Sequence, residues 1–470
     1  MTFVDFVVKP TVDANSHSAH DVRMQGFTRR HTVQEALSWL DAQLRTLAAE
    51  DVTLRAAAGR VLATAVVSDV DVPGFDRSTM DGYAVVADST EGATPYNRIS
   101  LKVVGDALPG SPFTRAIARG EAVRIMTGAP MPTGSDAVLP AESVDSDDRR
   151  GESLHSPSSS PPSMVSAIAE VSPQKNVGHR GEDIMRGTTL LDVGRVLRPQ
   201  DLGVMSSIGL ASATVVRRPR VRLVITGNEL LPAGSKPVDY QISDANGPML
   251  AALAERDGAI VDFPGLVRDE PDAVLEALGV LKAQSPEAKD QSPERVGAAR
   301  RSPLSPDIII VSGGSSVGIE DLAPMLVATH GKLAVHGIAM RPSSPTGMGT
   351  LGSQLVFLLP GNPVSALCAY DFFAGRAIRA LGGRSKQWPY RMVRATLARK
   401  ISSPIGRLDY ARVRLENPST GLGAGGRIEP LSVAGASLLS STTRADGFVI
   451  VEQDSEGYPA GSEVDVWLYG

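Results

Sequence analysis

The chain has 470 residues, 42% of them apolar, and a net charge of −5. A single hydrophobic core stops growing well short of that length, so about three or four domains are expected. The weak negative charge argues against sequence-independent nucleic-acid binding, and Cys368, the only cysteine, excludes an intrachain disulfide or a thiolate metal cluster within one chain. No apolar run reaches the roughly 18 residues of a spanning helix, and the N-terminus lacks the basic, apolar, small-residue order of a secretory signal. The expectation is a soluble, cytoplasmic protein.

Residues 1–29 lack periodicity and read as a disordered tail, with Met24 an alternative start. Thr32-Val33-Gln34-Glu35 reads as a capping box, and Leu37, Leu40, Leu44 and Leu47 extend an apolar stripe at helical spacing. From 57 to 186, glycine and proline are frequent and short Val-rich runs recur at 62–67, 101–104 and 137–139, which predicts a β-rich domain. Within it, 143–174 is rich in Ser and Pro and is expected to be a loop insertion, because it cannot offset its ordering entropy by burial. A helical pattern returns at 188–216. Strands and helices then alternate: strands at 221–226, 259–263, 307–312 and 355–359, helices at 248–256, 271–281, 321–329 and 363–381. Strict alternation predicts a parallel sheet covered on both faces. A second polar insertion occupies about 283–306, and the sequence after 390 reads as short strands and turns of a small barrel or sandwich.

Three segments carry chemistry. In residues 306–318, PDIIIVSGGSSVG, an apolar strand runs into a small-residue loop and then a helix. Ligands of open α/β sheets sit at the carboxyl ends of strands, and glycines let backbone N–H groups approach a phosphate at a helix start. Asp321 follows, where a carboxylate would hold a metal ion beside that phosphate; a tight turn without a ligand is the competing reading. LPGNPVSA at 359–366 is again strand, turn and helix, with Pro363 suited to the first helical position. DRSTMDGYAV at 76–85 clusters Asp76 and Asp81 with hydroxyls and Arg77, and by itself reads best as a turn.

These segments occur in order with RIMTGAPMPTGSDAV (124–138), HRGEDI (179–184) and ITGNEL (225–230). Together they resemble the molybdopterin molybdenumtransferase family, whose animal and plant relatives include the gephyrin E domain, over about residues 30–470. The resemblance implies a multidomain α/β and β fold: an elongated linking domain (30–56 with 187–216), a β-rich domain (57–186, with its insertion), a parallel-sheet α/β molybdopterin-binding domain (217–386) and a C-terminal β-barrel (387–470). It also implies a homodimer with the active cleft between subunits. Its catalytic acidic and hydroxyl positions fall on Asp81, Thr127, Asp183, Glu229, Asp269, Ser316 and Asp321. Its pterin and phosphate contacts fall on Gly313, Gly314, Ser315, Gly318, Pro360, Gly361, Asn362 and Ser365. Molybdate contacts fall on Arg341, Arg412 and Ser437, with Ala436 an alternative register for the last. Glu229, Asp269 and Asp321 are the expected ligands of Mg²⁺, a hard cation suited to oxygen donors.

Two departures stand out. The family's KPGKP-like segment reads Arg341-Pro342-Ser343-Ser344-Pro345, so Ser344 replaces a lysine, and a further lysine of some members is Gly337. The common TGDEL reads TGNEL, placing Asn228 where a carboxylate is usual. The implied function is molybdenum-cofactor biosynthesis: molybdate is inserted into adenylated molybdopterin and AMP is released. Transient contact with a pterin-adenylating protein or apo-molybdoenzymes is compatible with it; nucleic acid and membrane are not expected partners. A pterin or nucleotide pyrophosphatase and a non-catalytic pterin-binding scaffold are the alternatives.

Overall fold

The computed structural model describes residues 30–145, 163–280, 305–314, 322–416, 426–432 and 438–469. The 1–29 tail with Met24, most of both polar insertions, Ser315, Ser316, Gly318, Asp321, Ala436 and Ser437 lie outside the described residues. Two compact units divide the chain. Among the described residues, those of 30–50, 59–61 and 216–469 form one, and those of 51–58 and 62–215 form the other.

The α/β and barrel unit begins with helix Val33–Gln43. Thr32 Oγ1 accepts from Glu35 N at 3.1 Å and Glu35 Oε2 accepts from Thr32 N at 2.8 Å, the reciprocal capping expected of this sequence. The helix buries Val33, Ala36 and Leu40 and stops at Gln43, so the leucine stripe outruns it. Leu47 instead reaches the same core from irregular chain, pinned by its N–H donating to the Leu381 carbonyl at 2.9 Å.

A sheet runs in the order Ile260–Asp262, Arg220–Thr226, Ile308–Ser312, Gln354–Leu359, Gly347–Leu351, Lys332–His336. The first four strands are parallel; Gly347–Leu351 pairs antiparallel with both Gln354–Leu359 and Lys332–His336, with which it forms a hairpin. The expected parallel sheet is present in the first four strands, and this hairpin extends it with antiparallel pairing. Its inner strand is Gly347-Met348-Gly349-Thr350-Leu351, and a Cβ on Gly349 would lie 2.1 Å from the Lys332 carbonyl oxygen. Glycine is required by that close approach, and it hides the strand from a propensity reading. Both faces are covered. Leu223, Ile225, Ile310 and Phe357 pack with Leu250 of helix Asn246–Arg256, while Val224, Ile309, Val311 and Leu358 pack with Leu326 of helix Ala323–His330. Helix Pro271–Ala277 is shorter than expected. The expected helix at 363–381 is α-helical at Pro363–Ala369, π-helical at Tyr370–Ala374 and α-helical again at Gly375–Leu381.

The C-terminal strands Leu408–Leu415, Arg427–Ser432, Arg391–Leu397, Glu463–Leu468 and Gly447–Val451 pair in that order, and the last pairs back onto the first, closing a five-stranded barrel. Closure removes the exposed edges that so short a set of strands would otherwise present. Aromatic rings pack beside it: Tyr410 stacks on Phe448 at 4.0 Å, and Trp388 meets Trp467 edge-on at 5.1 Å. The π-helical turn carries Asp371 into this layer, where its carboxylate accepts from Tyr390 Oη at 2.9 Å and Tyr410 Oη at 3.4 Å.

In the β-rich unit, a six-stranded sheet has the order Ala137–Pro140, Gly82–Val85, Glu121–Ile125, Ile99–Ala107, Met164–Ala167, Val144–Asp145. Tyr83 and Val85 face one core and Ala84 the other, the alternation of a strand buried on both sides. Met164–Ala167 corrects the reading of all of 143–174 as loop: Val165 and Ala167 are buried against Ile99–Ala107. The expected helical pattern at 188–216 reduces to helix Pro199–Ser207 between strands Thr189–Leu191 and Ser212–Val216.

Candidate active site

At the carboxyl ends of Arg220–Thr226, Ile308–Ser312 and Gln354–Leu359 lies a cavity of about 560 Å³. Gly313 and Gly314 end the middle strand with φ of +99° and +55°, a left-handed backbone that glycine adopts without strain. A Cβ on Gly313 would stand 2.1 Å from the Thr226 carbonyl oxygen, so the loop closes tightly on its neighbouring strand. The second turn abuts it: a Cβ on Gly361 would lie 3.6 Å from Gly313 Cα. Pro360, Gly361 and Asn362 therefore line the same cavity as Gly313 and Gly314.

Two sequence-predicted carboxylates join them. Glu229, in the turn after Arg220–Thr226, and Asp269, just before helix Pro271–Ala277, both line the cavity. Asp269 Oδ1 sits 3.7 Å from where a Cβ on Gly314 would be, and the Asp269 N–H donates to Asn228 Oδ1 at 3.3 Å. Asn228, where the family commonly has a carboxylate, thus holds the backbone of one predicted ligand.

Other expected contacts fall elsewhere. Ser365 is buried, and its carbonyl accepts from Ser343 Oγ at 2.5 Å. Arg341 is half-buried on the short strand Met340–Arg341, which pairs with Leu408 and Asp409 of the barrel; Pro345, from the same loop, does line the cavity. Arg412 is only 1% exposed, opposite Phe448 in the barrel. Its charge opposes the rise that burial imposes on the Cys368 thiol pKa.

Residues the sequence reading missed form the cavity floor. Asn246 donates through Nδ2 to Ser312 Oγ at 3.0 Å and to the Gly361 carbonyl at 2.7 Å, tying two strand ends together. Asp244 Oδ1 accepts from Gly247 N at 2.9 Å. Asp244 and Asn246 precede Pro248, where the helix was expected to begin; short polar residues there carry a cap signal, which conceals any second role.

In the β-rich unit, a separate cavity of about 420 Å³ is lined by Asp81, Thr127, Arg124 and Glu142, among others. Asp81 Oδ1 accepts from Thr127 N at 2.7 Å and from Thr127 Oγ1 at 2.8 Å, so the two predicted residues act as one clamp between adjacent turns. Asp183 is exposed outside that lining, in a turn where its N–H donates to the Val72 carbonyl at 3.1 Å. Among the described residues, no group of three His, Cys, Asp or Glu side chains could by itself hold a metal, and no helix is long and apolar enough to cross a membrane.

A doubly covered sheet with glycine turns and carboxylates at its strand ends, joined to a closed barrel and accompanied by a β-rich unit, defines a multidomain α/β and β protein whose cavity lies where open sheets take their ligands. Family models match in sequence: the MoeA N-terminal region, domains I and II, over 31–209; a probable molybdopterin binding domain over 222–380; and the MoeA C-terminal region, domain IV, over 394–469. Molybdopterin molybdenumtransferase 2 of Mycobacterium tuberculosis is 31% identical over 444 residues, covering 93% of this chain and 99% of that protein. The molybdopterin molybdenumtransferase of Staphylococcus aureus is 29% identical over 440 residues, covering 93% and 95%. A crystal structure of a molybdopterin biosynthesis MoeA protein from Pyrococcus horikoshii superposes with a TM-score of 0.68 at 27% identity, covering 94% of this chain and all of that one. The chain belongs to the molybdopterin molybdenumtransferase family and has its role in molybdenum cofactor biosynthesis.

Proposed function

We propose that this protein transfers molybdenum from molybdate to the dithiolene sulfurs of adenylated molybdopterin, with release of AMP. The observation that carries the reading is the convergence of Glu229 and Asp269 with the two glycine-containing turns in one cavity. Backbone at Gly313 and Gly314 approaches an anion without side-chain obstruction, which suits a phosphate of the substrate.

The donor set also fits Mg²⁺, which is commonly held by one or two carboxylates together with substrate phosphates. Glu229 and Asp269 would hold it, with Asp321 a third ligand implied by the resemblance. When bound, the ion neutralises phosphate charge that these carboxylates would otherwise repel. Asn228 fixes the Asp269 backbone, and Asn246 locks the two turns in register. Asp81 and Thr127 act as a preformed clamp: both hydrogen bonds to Asp81 Oδ1 hold the Thr127 turn before any ligand arrives. Arg341 supplies positive charge for molybdate beside the positions, Gly337 and Ser344, where family lysines are missing. A homodimer, which rests on the resemblance, and a cytoplasmic location, which rests on the single cysteine of the sequence, complete the reading.

The test is to incubate purified protein with adenylated molybdopterin and Mg²⁺, with and without molybdate, and to assay AMP and active cofactor. Molybdate-dependent release of both is expected. AMP without cofactor would mean a pyrophosphatase, and release of neither would mean a binding protein.

A further inference from the structure

Among the described residues, two side chains in the floor of the α/β cavity have a polar atom with no hydrogen-bond partner. Thr226 is 4% exposed and Asn246 is 7% exposed; among the described residues, Thr226 Oγ1 and Asn246 Oδ1 lack any hydrogen bond. Both residues line the cavity. Buried polar atoms in native proteins are nearly always paired, and leaving one unpaired is destabilising, so two in one floor require a cause. Asn246 is held rigidly, because its Nδ2 serves both Ser312 Oγ and the Gly361 carbonyl. That orientation fixes Oδ1 as an acceptor. Asp244 beside it is 5% exposed and is another acceptor, with only Oδ1 engaged by Gly247 N in the bonds seen.

We propose that Thr226 and Asn246 are specificity-determining contacts that read the aminopyrimidinone edge of the pterin. An acceptor-rich floor repels phosphate oxygens, which are better served by the backbone at Gly313 and Gly314. It matches a ligand edge that presents adjacent N–H donors. A pterin offers its 2-amino group and N3–H side by side, followed by a ring carbonyl, and the Thr226 hydroxyl is able to donate to that carbonyl. Adenine sets an amino donor beside a ring acceptor, which would face the carbonyl oxygen of Asn246. The inference rests on the reading of a pterin substrate in this cavity.

The experiment is a fluorescence titration of the full chain with 6-hydroxymethylpterin, beside adenosine as the adenine probe, neither of which carries a phosphate. Thr226→Val keeps the shape and removes the hydroxyl; Thr226→Ser restores it. Thr226→Val should bind the pterin about tenfold more weakly, the loss of one hydrogen bond, while its melting temperature without ligand stays level or rises. Thr226→Ser should bind like the parent. A merely structural hydroxyl would instead lower the melting temperature and leave the pterin affinity unmoved. The proposal is overturned if Thr226→Val binds like the parent, if its binding loss comes only with a lower melting temperature, or if the parent does not prefer the pterin to adenosine. Molybdate-dependent AMP release by the parent, measured separately, tells the two readings apart. With that release intact, unchanged pterin binding by Thr226→Val sinks this inference alone. If release is absent and Thr226-dependent binding is present, the transfer reading falls and the pterin contact stands.

Discussion

Ser343 has a φ of +92°, where a residue with a β-carbon is strained by about 1–2 kcal/mol relative to glycine. The family's KPGKP-like segment has glycine at this position. The serine offsets its strain through the buried bond from its hydroxyl to the Ser365 carbonyl, a contribution of about 0.5–1.5 kcal/mol. Ser343→Gly removes strain and bond together and should shift stability by less than about 1 kcal/mol. Ser343→Ala keeps the strain and loses the bond, so it should cost about 1–2 kcal/mol more than the glycine variant. Urea melts of the two variants check this; equal stabilities would refute it. Asp371 gives a second residue-scale expectation. Burial raises its carboxyl pKa to about 6, against the opposing charge of Arg256 and the bond from Tyr390. The folded chain therefore keeps this proton between about pH 4 and 6, where the unfolded chain releases it. The stabilisation is complete below pH 4 and is lost as pH rises through 6. Asp371→Asn cannot make that exchange. Across this window the parent should lose stability relative to the variant by an amount on the order of 3 kcal/mol. A gap between the two that stays constant with pH would place the Asp371 proton elsewhere.

Among elements, Met164–Ala167 decides what the Ser/Pro segment tolerates. Removing 145–172 would delete a strand that buries Val165 and Ala167 and pairs with both Ile99–Ala107 and Val144–Asp145. That deletion should abolish the cooperative melt of the β-rich unit. Replacing only 147–161 with a short Asn-Gly linker should change the melting temperature little, because Val144–Asp145 and Met164–Ala167 already pair as an antiparallel hairpin. Circular dichroism melts and limited proteolysis of both variants measure the difference. The same strand shows what pattern reading resolves. Long apolar runs such as 308–312 and a capping box such as Thr32 with Glu35 announce themselves locally. Met164–Ala167 is short and sits beside a low-complexity run, and Gly347–Leu351 is glycine-rich for a steric reason. In both, tertiary contact overrides local signal. The π-helical turn that delivers Asp371 to the aromatic layer has no sequence signature of its own.

For the molecule as a whole, the candidate site was legible where glycine turns and carboxylates carry motif signals: Glu229, Asp269, Gly313, Gly314 and the 360–362 turn line one cavity. It was not legible where a residue has two jobs. Asn246 and Asp244 look like a helix start, and Thr226 looks like the end of a strand. The positive charge for molybdate falls to fewer side chains, because Gly337 and Ser344 stand where the family resemblance implies lysines. Arg341 and Arg412 were expected to share that task, yet they sit differently: Arg341 is half-buried beside the loop that sends Pro345 into the cavity, and Arg412 is inside the barrel wall. Arg341→Ala should therefore raise the molybdate needed for half-maximal cofactor yield by about ten- to a hundredfold, the worth of one hydrogen bond to a charged group, with no change in melting temperature. Arg412→Ala should first of all destabilise the fold, by about 3 kcal/mol or more, because it removes a fully buried charged side chain and opens a void. Its effect on molybdate is read from Arg412→Lys, which keeps the charge. Ser344→Lys should lower the molybdate requirement by restoring the missing cation. Cofactor yield against molybdate concentration for the four variants decides the matter. If Arg341→Ala and Ser344→Lys both follow the parent curve, the oxyanion is held by other groups and the family's lysine segment has lost that role in this chain.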